Sequence, residues 1–557
     1  MIVPRLQSFG KSASQLEYCF LLVVLGAATF LLLSNLSNQY LWQDEAQTAT
    51  ISKTILKFGI PVGYDGKNYF SQEFGFEYGK DYVWKWHTWF SFYLAAASFA
   101  IFGQTTFAAR FPFALFGIAT VILIYFFSKA LFQSRRLAAT ATVLVLISVP
   151  FLILSRQCRY YSPVMFFCVL GLFAYLRILE REKYAVPTFI ISSTLLFHSH
   201  YIYSFILLVV VGFHVLLFRR ERFFPVLLAS ASVVILNLPW IIFFSSMRYG
   251  HRYPEHLFDV NQFLEFGKSF FYQLGTFVFP PVLLVIPIII GGLKLAQHTM
   301  VTSSHTIRAR KAFSVALVTI GSLAGFRLAL HLEFHLTLVV FIFCIVMGVY
   351  TKSDVWKNIT LLVLFLFITL AALLVSIPYP FFRYLAPLVP ILCILMAVII
   401  EKAMQIHIAI GIEIIVILAL IGSMPNYLYE ITHDYDGPVE GIVNYLNQNG
   451  SKSDTVIATY DDLPLKFYTN MKIVGGLTGE DLAPYINGHW IIIRKFKMSD
   501  ADSSMRLYLR ENVDWKKYQA IKLGYPDIPY ENREDPRSHL FRTASIVDSV
   551  VLFRRID

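Results

Sequence analysis

Apolar runs of about 18 to 22 residues recur along the chain, the length at which an α-helix crosses a hydrocarbon core, and they limit the fold more than any other feature. Stretches such as Val282 to Gly292 and Ile359 to Ile377 carry no polar alternation. A membrane barrel would instead alternate polarity over segments of about ten residues. With 557 residues, 56% hydrophobic and 15% charged, the chain reads as a polytopic α-helical membrane protein.

The net charge of +11 does not point to nucleic acid. Its Lys and Arg residues fall largely in short loops between apolar runs, where the positive-inside rule places them. Cys19, Cys158, Cys168, Cys344 and Cys393 lie in or near apolar runs with no CxxC spacing, which implies neither a disulfide framework nor a cysteine metal site. Residues 1–16 are basic, and the first apolar run lacks a clear small-residue cleavage site, so a retained anchor is expected rather than a signal peptide.

With the N-terminus cytoplasmic, a first span at about 17–37 delivers Asp44 and Glu45 to the outer side. The next 50 or so residues, with Gly59-Ile60-Pro61, Tyr64-Asp65-Gly66 and several Trp and Tyr, suit an interfacial loop. His87 to Phe102 is apolar but only about 16 residues long, so it either crosses or lies flat as a juxtamembrane helix. Charge favours the flat placement, which leaves Lys129, Arg135 and Arg136, then Arg177, Arg181 and Lys183, then Arg219, Arg220 and Arg222 on the inner side. Lys294 to Lys311, Lys352 to Lys357 and Glu401-Lys402 follow them inside, whereas Met247 to Gln273 and Ser376 to Arg383 face outward. About 13 spans result. From about Pro425 the composition turns polar. A helix is expected at Val439 to Asn447, strands at Thr455 to Ala458, Trp490 to Ile493 and Ile546 to Phe553, and a turn at Asn449-Gly450. The division is a transmembrane domain, 1–424, and a soluble extracytoplasmic α/β domain, 425–557.

Two adjacent carboxylates just past a membrane helix are rarely needed for folding, and a lipid-linked substrate can reach them there. Asp44 and Glu45 are therefore candidate catalytic residues, weighed against simple capping of the helical stretch Ala46 to Phe58. Outward-facing cations work against the topogenic bias. Arg156 and Arg159, in Ser155-Arg156-Gln157-Cys158-Arg159-Tyr160-Tyr161-Ser162, and Arg383, in Phe382-Arg383-Tyr384, are such cations. A guanidinium matches phosphate oxygens bidentately and stays charged when partly desolvated, so an anionic phospholipid-type substrate fits them. The alternative is snorkelling to headgroups. Tyr160 and Tyr384 flank these arginines. His87, near Trp84, Trp86 and Trp89, is a candidate for a substrate hydroxyl or phosphate, although tryptophans there also form an interfacial belt.

Other polar clusters read as structural. His198 and His200 sit at i, i+2, on different faces of a helix, with no carboxylate to complete a metal set. His331 and His335 share a helix face, but Glu333 falls one place later than HExxH requires. Asp461-Asp462 is most simply a solvated turn.

In order and spacing these pieces resemble the GT-C membrane glycosyltransferases, in the branch of the lipid A aminoarabinose transferases and protein O-mannosyltransferases. The signposts are Asp44-Glu45 after the first span, Phe99 through Phe102-Gly103 to Ala108-Ala109-Arg110-Phe111-Pro112, the Ser155 to Tyr160 run, and Arg383-Tyr384-Leu385-Ala386-Pro387-Leu388. The resemblance implies a GT-C fold with juxtamembrane helices in the first outer loop. It also implies a catalytic carboxylate at Asp44, and inverting transfer from a polyprenyl-phosphate sugar donor to an envelope glycolipid, polysaccharide or protein. The arginine-bearing loops would lie near the donor phosphate. Where the family usually shows Lys/His-Pro-Pro, this chain has His87-Thr88-Trp89, which leaves the role of His87 open.

Chemistry supports such a reaction independently. A lipid phosphate leaves without a strong acid, so one carboxylate to activate the acceptor hydroxyl and guanidiniums to hold the phosphate suffice. No nucleotide-binding fingerprint is present. Cofactor need is open: Asp44 and Glu45 could hold a divalent ion but supply no complete ligand set. The rival readings are a secondary transporter, which would place charges at the midplane of broken spans, and a non-catalytic envelope binding or assembly protein.

Overall fold

A computed structural model of the chain describes residues 11–244, 260–280, 283, 346–348, 350, 353–494, 500–528, 533–545 and 548–556. Expectations for His331, Glu333 and His335, for Lys294 to Lys311 and for residues 247–259 of the stretch Met247 to Gln273 lie outside the described residues. Six described helices are long and apolar enough to cross a membrane, and two bent helix pairs bring the number to eight. The chain is thus a multi-pass helical membrane protein. The expected total of about 13 spans is not tested by the described residues.

α1 (Lys11–Leu33) ends in a turn that leads into α2 (Gln43–Phe58). Asp44 and Glu45 occupy the first turn of α2, where carboxylates offset the positive end of the helix dipole, and Gly59 at φ +80° ends it. α2 is polar by sequence yet largely buried. Its hydroxyls turn back onto its own carbonyls, Thr50 to Ala46 at 2.7 Å and Ser52 to Thr48 at 2.6 Å, so burial leaves them satisfied. The short helix α3 (Phe90–Phe102) packs along it.

α4 (Thr106–Phe132) starts on a Thr105 cap that accepts the Ala108 N–H. α5 (Arg135–Leu146) and α6 (Val149–Arg156) form one of the bent pairs, turning by 62°. Pro150 accounts for the bend, since it cannot donate back along the helix and its ring clashes with the preceding turn. Gly117 of α4 lets the bent segment approach: a Cβ there would lie 2.6 Å from Ser155 Cβ. α7 (Tyr161–Leu179), α8 (Ala185–Ser199), α9 (Tyr201–Phe218) and α10 (Phe223–Phe244) complete this half of the bundle. The helices Asp354–Ser376 and Leu388–Met404 pack back onto α9 and α5.

The polar C-terminal part is a five-stranded sheet of order β2-β1-β3-β5-β4. β1 (Thr455–Ala458) pairs in parallel with β2 (Lys472–Gly475) and β3 (Trp490–Ile492); β4 (Tyr518–Pro526) and β5 (Ser549–Arg555) add antiparallel. Side chains alternate between the faces. Val456, Ala458 and Trp490 meet the helix Pro438–Asn449, whereas Ile457 and Ile491 meet the helix Asp500–Asn512.

The first loop and this domain are packed together. Asn68 reproduces a strand pairing at the free edge of β2, donating to Met471 O at 3.1 Å and accepting from Ile473 N at 2.9 Å. Lys53 donates to Phe467 O at 2.7 Å with its ammonium 3.8 Å from the Phe467 ring centre, and burial pulls its pKa down to about 8. Asp461 and Asp462, expected as a solvated turn, are a correction. Asp462 is fully buried, bound to Lys466 at 2.6 Å and to Gln43 Nε2 at 2.7 Å, while Asp461 pairs with the buried Arg494. Each carboxylate has a cation from the fold beside it, which makes burial tolerable.

Candidate active site

Four segments converge at the first turn of α2. Asp44 projects from that turn, and Arg159 from the tight link between α6 and α7. Arg383 comes from the short 3₁₀ turn Phe382–Leu385, which follows Pro378 and Pro380, and Glu534 from the C-terminal segment. Arg383 Nη1 donates to Asp44 Oδ2 at 2.6 Å and lies 3.6 Å from Glu534 Oε1. Arg159 Nη2 is 3.6 Å from Asp44 Oδ2, while its Nη1 donates to Asp44 O at 3.1 Å and Thr48 Oγ1 at 3.0 Å. Gln72 Nε2 donates to Asp44 Oδ1 at 3.2 Å. Arg533, whose guanidinium lies 5.5 Å from the Trp42 ring centre, adds a third cation near Asp44.

Burial alone would raise the Asp44 carboxyl, but the guanidiniums of Arg383, Arg159 and Arg533 outweigh it and hold it below the ordinary carboxylate range. Glu534 moves the other way, because burial dominates over Arg383 and Arg533 and raises it. Three arginines against two carboxyl groups leave the cluster with excess positive charge. Buried Arg159 Nε, Tyr161 Oη and His200 Nδ1 have no hydrogen-bond partner among the described residues.

The flanking aromatics form one wall. The Tyr160 ring lies 4.7 Å from His200 and 5.9 Å from the Arg159 guanidinium. Tyr384 follows Arg383, and its carbonyl accepts from Tyr203 Oη at 2.7 Å. His87 stacks at 6.4 Å on Trp84. Its pKa is held well below the usual value by burial and by Arg159, so a neutral imidazole faces the cluster. His200 is likewise pushed down to about 3 by burial and Arg159. His198 instead meets the Trp240 ring edge-on at 5.1 Å.

Two sequence candidates lie elsewhere. Glu45 is fully buried, with Arg110 donating to it through Nε at 2.9 Å and Nη2 at 2.7 Å, and the Cys158 N–H at 2.7 Å. Arg110 also donates to Leu36, Gln39 and Tyr40 carbonyls, so this bidentate pair clamps the loop after α1. Arg156 donates to the carbonyls of Leu31, Leu32, Ser34 and Asn35, at 3.2, 3.4, 2.7 and 3.0 Å. It therefore caps the C-terminal end of α1, where carbonyls lack helical donors. Glu534, Arg533 and Gln72 escaped the sequence reading. Each is an isolated polar residue with no motif around it, and only folding brings it to Asp44. Among the described residues no group of three or more His, Cys, Asp or Glu side chains is placed to hold a metal ion.

The bundle, the packed first loop and the appended sheet domain together form a fold shared with solved archaeal oligosaccharyltransferase structures. Residues 87–243 match the family model of dolichyl-phosphate-mannose-protein mannosyltransferase. The archaeal oligosaccharyltransferase AglB of Archaeoglobus fulgidus, in complex with an inhibitory peptide and a dolichol-phosphate, is similar at a TM-score of 0.53. It is 14% identical, over 94% of this chain and 75% of that one. The apo Archaeoglobus fulgidus oligosaccharyltransferase gives 0.51 at 15% identity, over 91% and 69%. ArnT from Cupriavidus metallidurans bound to undecaprenyl phosphate gives 0.49 at 12% identity, over 97% and 98%. At 14% and 15% identity the likeness to the two oligosaccharyltransferase structures is one of fold. No curated protein sequence matches the chain.

Proposed function

We propose that the protein is an inverting glycosyltransferase that moves a sugar from a polyprenyl-phosphate donor to a hydroxyl of a cell-envelope acceptor at the outer face of the inner membrane. Residues 1–424 would form the catalytic domain and 425–557 an extracytoplasmic domain. The observation that carries the reading is the meeting of one anionic carboxylate, Asp44, with the guanidiniums of Arg383 and Arg159. Buried polar atoms without a partner among the described residues lie on Arg159 and on nearby Tyr161 and His200. A related fold that holds a dolichol-phosphate, in AglB, supports a lipid-phosphate donor.

In this mechanism Asp44 accepts the proton of the acceptor hydroxyl as its oxygen attacks the anomeric carbon. The bond from that carbon to the phosphate oxygen breaks, and its electron pair leaves with the lipid phosphate. Arg159, through its unpartnered Nε, and Arg383, released from Asp44 by the competing phosphate, stabilise the charge that develops there. Tyr160, Tyr384 and neutral His87 line the space for the sugar. Glu45 and Arg156 brace the site through Arg110 and α1 rather than touching substrate.

The test is turnover of a panel of radiolabelled polyprenyl-phosphate sugars by purified protein in lipid, following both hydrolysis and transfer to envelope extracts, beside Asp44→Asn. One donor should be consumed, at a rate about 10³-fold lower in the variant. Turnover of no donor by folded protein, with a control enzyme active on the same panel, would overturn the reading. Asp44→Asn turning over at the wild-type rate would remove Asp44 from the reaction.

A further inference from the structure

The first loop holds a buried carboxyl that the reaction above does not use. Glu77 is 1% exposed and faces only donors. Its Oε1 accepts the Gln72 N–H at 2.6 Å and Gln47 Nε2 at 3.4 Å, and its Oε2 accepts the Ser71 hydroxyl. The Ser71 oxygen in turn accepts the backbone N–H groups of Glu73 at 3.1 Å and Gly75 at 2.6 Å, so its own proton has to point at Glu77. Both Glu77 oxygens thereby act as acceptors, and a carboxylate meets these donors without bringing a proton of its own into a site that holds only donors. The same turn carries Gln72, whose side chain reaches Asp44 Oδ1.

We propose that Glu77 is a positioning residue for Asp44: as a carboxylate it fixes the turn from Ser71 to Gly75, and that turn presents the Gln72 amide to the Asp44 carboxylate. The inference rests on the functional reading above and assigns a role within it. A proton on Glu77 adds a donor with no acceptor to this site and weakens the bonds to the Ser71 hydroxyl and the Gln72 N–H, which loosens the anchor of Gln72. Few opposing charges reach Glu77. Glu73 on the same turn repels it and Tyr78 is its chain neighbour. Lys85, whose backbone N–H bonds Glu77 O at 2.8 Å, turns its ammonium towards Asp81, 3.9 Å away. α2 offers only the neutral Gln47. Burial therefore pushes the Glu77 carboxyl up to about 7, against the pull of the Ser71 and Gln72 bonds. Asp44 is held anionic below its ordinary value and does not titrate in this range, while Glu534, also raised by burial, is told apart from Glu77 by the exchange profile of the 71–77 turn.

Two measurements between pH 5.5 and 8.5 test it: kcat on the accepted donor, and hydrogen-exchange protection of the 71–77 backbone, corrected for the intrinsic rate. In the wild type kcat should fall as pH drops through about 7, while protection, because opening the turn releases the Glu77 proton, should weaken as pH rises from 5.5 through about 7. Glu77→Gln should show a pH-independent kcat about 10-fold lower, with the turn unprotected throughout. Gln72→Ala leaves Glu77 and its backbone bond in place, and should lower kcat to a similar degree while protection stays at the wild-type level. Protection that ignores pH in the wild type, or a wild-type kcat in Gln72→Ala, overturns the proposal. If no donor is turned over the functional reading fails, and the exchange profile still decides whether Glu77 governs the turn.

Discussion

Asp44 and Glu45 are neighbours in sequence and opposites in setting. Glu45 is enclosed by a bidentate arginine and a backbone N–H. Asp44 shares its cations with Glu534, beside an Arg159 Nε that has no partner among the described residues. Adjacent positions on a helix point about 100° apart, so one can face a sealed interior and the other a junction of four segments. A saturated ion pair holds structure, whereas an unsaturated one with surplus positive charge is suited to admit an anion.

The contrast can be broken most sharply at activity against stability. Asp44→Asn should abolish most transfer, about 10³-fold, while thermal unfolding in detergent shifts less than it does in Glu45→Ala. Glu45→Ala should lower stability by about 3–5 kcal/mol, because it strands a buried Arg110. Equal thermal shifts in the two variants would erase the distinction. A smaller effect is expected at Arg159→Ala, which should weaken donor binding about 10- to 100-fold. Donor dependence indistinguishable from wild type would take Arg159 out of the phosphate site.

The smallest effect concerns pH, and its sign separates the two functions of charge. Asp44 has its pKa lowered on folding, so its stabilising contribution is full above its ordinary value of 3.8 and fades only as pH falls through the lower folded value. Glu77 has its pKa raised from 4.5 to about 7, so folding takes up a proton between those values and its contribution to stability weakens as pH rises through that window. Stability measured from pH 4.5 to 7 should thus decline slightly at Glu77 while activity climbs. A Glu77→Gln variant whose stability keeps the wild-type pH slope would contradict this.

Much of the scaffold was legible in the sequence. The apolar runs marked spans because length and hydropathy are local properties, and β1 fell at the expected Thr455–Ala458. β2 and β4 were not anticipated: Lys472–Gly475 holds only two apolar residues, Ile473 and Val474, and β4 is largely exposed at the sheet edge. The expectation for Asp461-Asp462 failed for a related reason. Two aspartates before a short helix look solvated until Arg494, Lys466 and Gln43 are brought to them.

The sequence by itself determined that this chain builds a helical membrane bundle, that carboxylates sit at the first turn of α2, and that arginines stand at the junctions between helices. Those follow from local hydropathy, dipole preference and charge placement. Only the tertiary structure decided that Asp44 rather than Glu45 meets Arg383 from 339 residues away, that Arg156 closes a helix end instead, and that Glu534 and Gln72 join the cluster. Which face of a helix meets which distant segment depends on the packing of the whole bundle against the sheet domain, and no local pattern carries that information.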